Sequence, residues 1–182
     1  MRYWGILIVL LGVWTLELTT APPALAETAD VESDSRAALA ALYHSTPVAK
    51  TVGEKAKAIL VFPDIVKAGF IIGGQYGEGV LLVNDQIVAH YNIAAASYGL
   101  QAGVQKFGYA MFLMTDSARE YLDKSSGWEL GVGPSIVIVD AGKAKTMTTS
   151  TLQDDIYAFT FGQKGLMAGL GLQGSKITKI NP

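Results

Sequence analysis

Lysines are the side chains best placed for chemistry in this sequence, and they occur in clusters. The cluster considered for binding consists of Lys50, Lys55, Lys57 and Lys67. Only Glu54 and Asp64 supply negative charge over the same stretch. Such a cluster attracts anionic groups, since each lysine contributes about 1 kcal/mol near an anionic lipid surface. Ordinary solvated lysines without a function are the alternative interpretation.

Catalytic and metal-binding side chains are scarce. The two histidines, His44 and His90, are far apart in sequence, and there is no cysteine. They make neither a metal-ligand cluster nor a recognisable triad. Asp154 and Asp155 are adjacent, which is typical of a solvated loop. We therefore expect a protein that is not an enzyme, with no catalytic residue, no metal and no cofactor.

The stretch KAGFIIGGQYGEGVLLV, residues 67–83, contains five glycines in an otherwise strand-like run. A phosphate-binding loop would need a Gly-Lys-Ser/Thr ending, which is missing. A formal G-x-G-x-x-G at Gly169, Gly171 and Gly174 lies too near the C-terminus for a dinucleotide fold to follow it. The glycines between Gly73 and Gly79 instead favour a tight hairpin turned at YGEG.

The first 26 residues are predicted to be a secretory signal peptide. A basic start, an apolar core and the small-residue ending Ala24-Leu25-Ala26 place the cleavage site before Glu27. A retained N-terminal anchor is the alternative. The remainder divides into a helical segment, 27–45, and one domain, 46–182. The net charge of −2 argues against general nucleic-acid binding.

The hydrophobic pattern predicts an α+β domain. Helical spacing covers Val31–His44 and continues after Pro47, and Thr115 is positioned to cap a short helix, 116–124. Period-two patterns then predict strands, with a turn at Asn84-Asp85 and a strand stopped by Pro63. We expect N-terminal helices packed on an antiparallel β-sheet curled into a sandwich or barrel.

Three predicted strands alternate large apolar residues with glycine and small polar residues. They are Tyr98–Gln105, Trp128–Ser135 and Leu166–Gln173, the last forming a closing hairpin with IYAFTFGQ. The apolar faces should form the core, and the glycine faces should allow close approach of a partner. This pattern is the basis for an alternative function, an envelope assembly protein that binds a protein partner along its glycine-faced sheet.

The run AKAILVFPDIVKAGFIIGGQYGEGVLL followed by AASYGLQAGVQ resembles the SYLF domain family. The resemblance extends from about Tyr43 to Ile180. The residues that carry it are Phe62-Pro63, Lys67 to Phe70, Gly73-Gly74, Gly77, Gly79, Ser97, Gly99, Gln101, Gly103 and Gly165 to Gly169.

The resemblance implies binding of anionic phospholipids without catalysis. Lys50, Lys55, Lys57 and Lys67 are then the expected head-group contacts, with Phe70 and Tyr76 as apolar or interfacial contacts. The expected partner is an anionic phospholipid or membrane surface of the bacterial cell envelope. The expected location is periplasmic or secreted after cleavage, peripheral to the envelope membranes.

Overall fold

A computed structural model describes residues 23–70, 72–98, 103–124, 127–148, 152–165 and 174–181. Residues 1–22 of the predicted signal peptide lie outside the described residues, as does the predicted strand Leu166–Gln173. The fold is α+β, as the hydrophobic pattern predicts.

Four helices and eight strands make up the described chain. In order they are α1 (Pro23–Ser45), α2 (Pro47–Gly53), β1 (Ala58–Gly69), β2 (Ile72–Val83), β3 (Gln86–Tyr98), β4 (Gly103–Leu113), α3 (Asp116–Lys124), β5 (Trp128–Glu129), β6 (Ile136–Val139), α4 (Ala141–Ala144), β7 (Ile156–Gly165) and β8 (Lys176–Ile180). As predicted, the Thr115 hydroxyl caps α3, accepting a hydrogen bond from the Ala118 amide at 3.2 Å. None of the described helices is long and apolar enough to cross a membrane.

The eight strands form one sheet in the order β5-β8-β3-β2-β1-β4-β7-β6, curled into a half-barrel. All neighbouring strands are antiparallel except β6 and β7, which are parallel. The parallel pair arises because α4 and the segment after it carry the chain back before β7 begins. The sheet is therefore mixed, where the sequence predicted an antiparallel one.

The two faces of the sheet bury different cores. Side chains from all eight strands meet in one cluster, which also takes in Ala118 and Leu122 of α3. We call this side the inner face. The opposite or outer face carries α1 and α2, whose Leu42 and Val52 pack over Val80 and Phe112. Burying apolar area on both faces is the main stabilising contribution to the fold.

Pro63 does not stop the first strand, contrary to the prediction. β1 continues to Gly69, and its register with both neighbours shifts around Pro63. A β-bulge at this point accommodates a residue that has no backbone N–H to donate. The bulge also reverses the alternation, so that Val61 and Val66 both lie on the outer face.

The glycines of β2 do not form the predicted hairpin at Gly73–Gly79. β2 is continuous through them, and the hairpin turn lies earlier, between Gly69 and Ile72. A Cβ on Gly77 would come within 2.6 Å of the Asp64 carbonyl oxygen, and one on Gly79 would collide with the Val61 carbonyl. These two glycines therefore let β2 approach the bulge of β1 closely. The predicted turn at Asn84-Asp85 is confirmed, since both residues have positive φ.

Two of the strands predicted from alternating glycines are wrong. Tyr98 ends β3 beside β2, whereas Gly103 begins β4 beside β1, so 98–105 is not one strand. In the second case only Trp128 and Glu129 pair as a strand. Gly131 and Gly133 have positive φ, which takes the chain into turns. A local period of two cannot distinguish one strand from the ends of two different strands.

Candidate functional site

One end of the outer face is not covered by the helices. It lies around the β1–β2 hairpin and exposes five apolar or aromatic side chains, which we call the tip face: Val66, Phe70, Ile72, Tyr76 and Val104. Phe70 is 72% exposed, Ile72 62% and Val104 63%. Exposed apolar side chains grouped in this way are typical of a surface that binds a partner or a membrane.

Strand register fixes how the tip face is assembled. Val66 of β1 lies directly opposite Tyr76 of β2, and Ala68 lies opposite Val104 of β4. Residues two apart on a strand share a face and are about 7 Å apart. Phe70, four residues beyond Val66, therefore lies about 13 Å further out, at the end of the sheet.

A row of side chains crosses the outer face at the level of Val66 and Tyr76. From β8 to β7 the row reads Lys176, Ala94, Tyr76, Val66, Lys106 and Lys164, each paired with its neighbour. Its three lysines are exposed, and we call them the lysine belt. Apolar side chains bordered by lysines and a tyrosine are typical of a protein surface that enters a lipid interface.

Acidic residues follow on the side of the row away from the tip. Asp64 and Glu78 are directly opposite each other, and Lys106 Nζ lies 2.8 Å from Asp64 Oδ2. Both partners of this ion pair are about half exposed, so it is worth at most about 1 kcal/mol. An anionic membrane surface in contact with the tip face would attract the lysine belt and repel Asp64 and Glu78. This repulsion limits how deeply the protein enters the membrane interface.

Tyr76 remains a neutral phenol at physiological pH. Its hydroxyl donates a hydrogen bond to Glu78 Oε1, which raises the pKa of Tyr76 to about 12, with a smaller contribution from burial. A neutral aromatic ring with one polar edge suits the boundary between hydrocarbon and water.

The structure divides the six predicted contact residues between two ends of the sheet. Phe70 and Tyr76 lie in the tip face, and Lys67 lies at the same end but on the inner face. Lys50, Lys55 and Lys57 are exposed on α2 and just before β1, at the opposite end. Because β1 has twelve residues, this cluster is about 40 Å of chain from the tip.

One lysine of the distant cluster has a partner. Lys57 Nζ lies 3.7 Å from Asp116 Oδ2 of α3, and both side chains are more than half exposed. Because the predicted contacts lie at two opposite ends of the sheet, all six cannot meet one flat membrane through a single patch. Head-group contact by Lys50, Lys55 and Lys57 stays a prediction.

The histidines lie apart from the tip face. His90 Nε2 is 3.1 Å from Glu32 Oε1 of α1, and His44 is exposed near the end of α1. Over the ranges that the structure describes, no three His, Asp or Glu side chains are grouped so that they could hold a metal ion.

The sequence reasoning missed most of the site. It did not select Val66, Ile72, Val104 or the lysine belt. The period of two was misleading here, because it assigned Val104 to the core face, whereas Val104 is 63% exposed and Gln105 is buried. What the sequence could not show is that β4 pairs with β1, which brings these residues beside the hairpin.

Comparison with known proteins finds a family match in the second half of the chain. Residues 94–181 match the family described as "Ysc84: Las17-binding protein actin regulator". The match includes Val104 and all three lysines of the belt, whereas the β1–β2 hairpin precedes it. No curated protein matches the chain. Residues 94–181, from within β3 to just past β8, match the model of the Ysc84 (SYLF) family, which is the family that the sequence motifs resemble.

Proposed function

We propose that this protein binds anionic phospholipid membranes, without catalysis, through the tip face and the lysine belt. The observation that supports this most directly is the order of side chains on the outer face. Exposed apolar residues lie outermost, a row with Tyr76 and lysines comes next, and Asp64 and Glu78 follow. The family match supports a lipid- or actin-related binding role.

The binding step combines two physical contributions. Phe70 and Ile72 enter the interface and lose their contact with water, worth about 1.5–3 kcal/mol for each fully buried side chain. The lysine belt stays at head-group level, where each lysine adds about 1 kcal/mol. The protein would act in the bacterial cell envelope, in the periplasm or after secretion, once residues 1–26 have been removed.

Co-sedimentation with vesicles tests this function. One set contains phosphatidylglycerol in phosphatidylcholine, and the other contains phosphatidylcholine alone, each at low and moderate salt. We expect binding to the anionic vesicles that weakens as salt screens the charges. Failure to sediment with either set would reject the proposal. It would favour the alternative of a protein partner, which a pull-down from envelope extracts would then reveal.

A further inference from the structure

The last strand of the sheet, β6, has a free edge. In the part of the chain that the structure describes, β6 pairs with β7 alone. The Ser135 carbonyl accepts a hydrogen bond from the Ile156 amide, so the backbone groups of residues 135, 137 and 139 point towards β7. The backbone N–H and C=O groups of Ile136 and Ile138 therefore point the other way, towards the free edge.

This edge carries none of the features by which proteins protect an edge strand. Charged side chains, a proline or a bulge commonly block pairing with a further chain. β6 consists of four β-branched apolar residues, Ile136 to Val139, in continuous register with β7. Ile138 is 38% exposed. An edge of this composition is suited to accept another strand.

A cavity of about 260 Å³ lies beside the edge. It is lined by β6 and by the link from β5 to β6, through Leu130, Gly133, Pro134, Ile136 and Ile138. Val132, in the same link, is 57% exposed, and Tyr121 of α3 is 37% exposed. Tyr121 lies against Gly133, because a Cβ on this glycine would come within 2.6 Å of the tyrosine ring. Exposed apolar side chains therefore flank both the cavity and the free edge.

We propose that β6 binds an extended peptide segment of a partner protein, which joins the sheet as a further strand and places apolar side chains in this cavity. Main-chain hydrogen bonds give such a complex its affinity, and the cavity selects apolar side chains at alternate positions. A second copy of this protein fits less well. A stable pair of copies uses about 20–30 residues on each side, and a four-residue edge is too short for that.

The charges at the two ends of β6 set the polarity of the bound segment. Lys143 and Lys145 are exposed just beyond its C-terminal end, where they outnumber Asp140. Asp155 lies at the other end, where its carboxylate accepts hydrogen bonds from Ser135. An antiparallel strand therefore matches β6 when it carries acidic residues at its N-terminal end, beside the lysines, and a basic residue at its C-terminal end.

The β6 edge is separate from the tip face. β6 pairs with residues 156–159 of β7, whereas β7 reaches the tip end of the sheet at Gly165. A protein whose tip face lies in a membrane would therefore still present β6 to a partner. The inference goes beyond the proposed membrane binding and does not depend on it.

Peptide binding in the absence of lipid tests the inference. The probe is the acetylated and amidated peptide Asp-Glu-Val-Thr-Val-Thr-Val-Lys, and NMR on the isotope-labelled protein follows its binding. We expect the amide signals of β6 and Val132 to shift. Two further peptides carry backbone N-methyl groups, on the valines in one and on the threonines in the other. Only one of the two should lose affinity, by about tenfold or more, because only every second N–H of an added strand faces β6.

A proline variant tests the same edge from the protein's side. Ile138→Pro removes an N–H that points to the free edge and leaves the pairing with β7 intact. It should lower the affinity for the peptide by about tenfold or more, whereas the matched control Ile138→Thr, which keeps the N–H, should lower it less. Thermal unfolding midpoints verify that both variants fold, and the N-methylated peptides decide if Ile138→Pro does not.

Two results would overturn the inference. One is the absence of peptide binding at β6, and the other is an equal change in affinity for the two N-methylated peptides. Failure of the vesicle experiment would reject the membrane proposal and leave the β6 edge unaffected.

Discussion

Val66 and Tyr76 are directly opposite each other on β1 and β2, and together they mark the boundary between two halves of the outer face. On one side of this pair the face is apolar out to Phe70. On the other side the pair is followed at once by Asp64 and Glu78, and then by the region under α1. This abrupt change in side-chain chemistry is the basis for the first two predictions.

Removing the apolar side chains of the tip should weaken membrane binding without affecting the fold. Phe70 and Ile72 are largely exposed, so Phe70→Ser with Ile72→Ser should leave the unfolding midpoint unchanged. We expect vesicle affinity to fall by at least about tenfold, since each side chain contributes about 1.5–3 kcal/mol when buried. Val88→Ser is the control, because Val88 is 51% exposed near the other end of β3.

Two triple lysine variants distinguish the two ends of the sheet. Substituting Lys106, Lys164 and Lys176 by Gln should lower affinity for anionic vesicles by about 100-fold, at about 1 kcal/mol per lysine. The ion pair of Lys106 with Asp64 reduces this effect somewhat. The triple variant should also flatten the salt dependence of vesicle binding.

The matched variant replaces Lys50, Lys55 and Lys57 by Gln and removes the same charge. We expect it to bind nearly as well as the unmodified protein, because these lysines lie at the end of the sheet away from the tip. If this variant alone lost binding, the head-group contacts would lie around α2 and the tip face would not be the membrane surface.

Two glycines of β2 should differ sharply in their tolerance of alanine. A Cβ at Gly79 would collide with the Val61 carbonyl oxygen, whereas one at Gly74 would lie 3.4 Å from the Ala95 carbonyl oxygen. We expect Gly79→Ala to cost about 1–3 kcal/mol or more in the free energy of unfolding. Gly74→Ala should cost little. Urea denaturation measures both, and equal effects would contradict the close approach at the β1 bulge.

Asp155 should make stability depend on pH in the acidic range. Its carboxylate accepts hydrogen bonds from the Ser135 amide and hydroxyl, both at 3.1 Å, and from the Thr115 hydroxyl at 3.0 Å. The Ser135 amide contributes most to lowering the pKa of Asp155 below 3.8. A lowered folded-state pKa stabilises the protein above the unfolded value near pH 4, and this contribution is lost as the pH falls through the folded value.

Asp155→Ala should therefore destabilise the protein at pH 7 by about 1–2 kcal/mol, allowing for its partial exposure. Urea midpoints of both proteins at intervals from pH 7 to pH 2 provide the test. The difference between them should shrink below about pH 4. If the difference between the two urea midpoints stayed constant with pH, the charge on Asp155 would contribute nothing to stability.

Local patterns predicted the elements better than their arrangement. The cap at Thr115 and the turn at Asn84-Asp85 depend on neighbouring residues only, and both were predicted correctly. Pro63 and the glycines of β2 were misread because their roles depend on each other. The bulge at Pro63 needs small residues on the adjacent strand, and Gly77 and Gly79 supply them.

The candidate site was predictable only in part, because some of its residues come together only through the pairing of strands. Phe70 and Tyr76 were selected from sequence because they lie in the motif that resembles the family. Val104 and Lys106 join them only through the pairing of β4 with β1, across a long sequence separation. Long-range pairing of this kind is decided by the burial of both sheet faces and not by any local run of residues.

The central claim, that the tip face enters the membrane, is tested most directly by a polarity-sensitive fluorophore on single cysteines. The sequence contains no cysteine, so Phe70→Cys and Lys50→Cys each give one labelled site. With phosphatidylglycerol vesicles, the label at position 70 should shift to the blue and be quenched by a lipid-borne quencher, while the label at position 50 should not respond. A response at position 50 with none at position 70 would contradict the account.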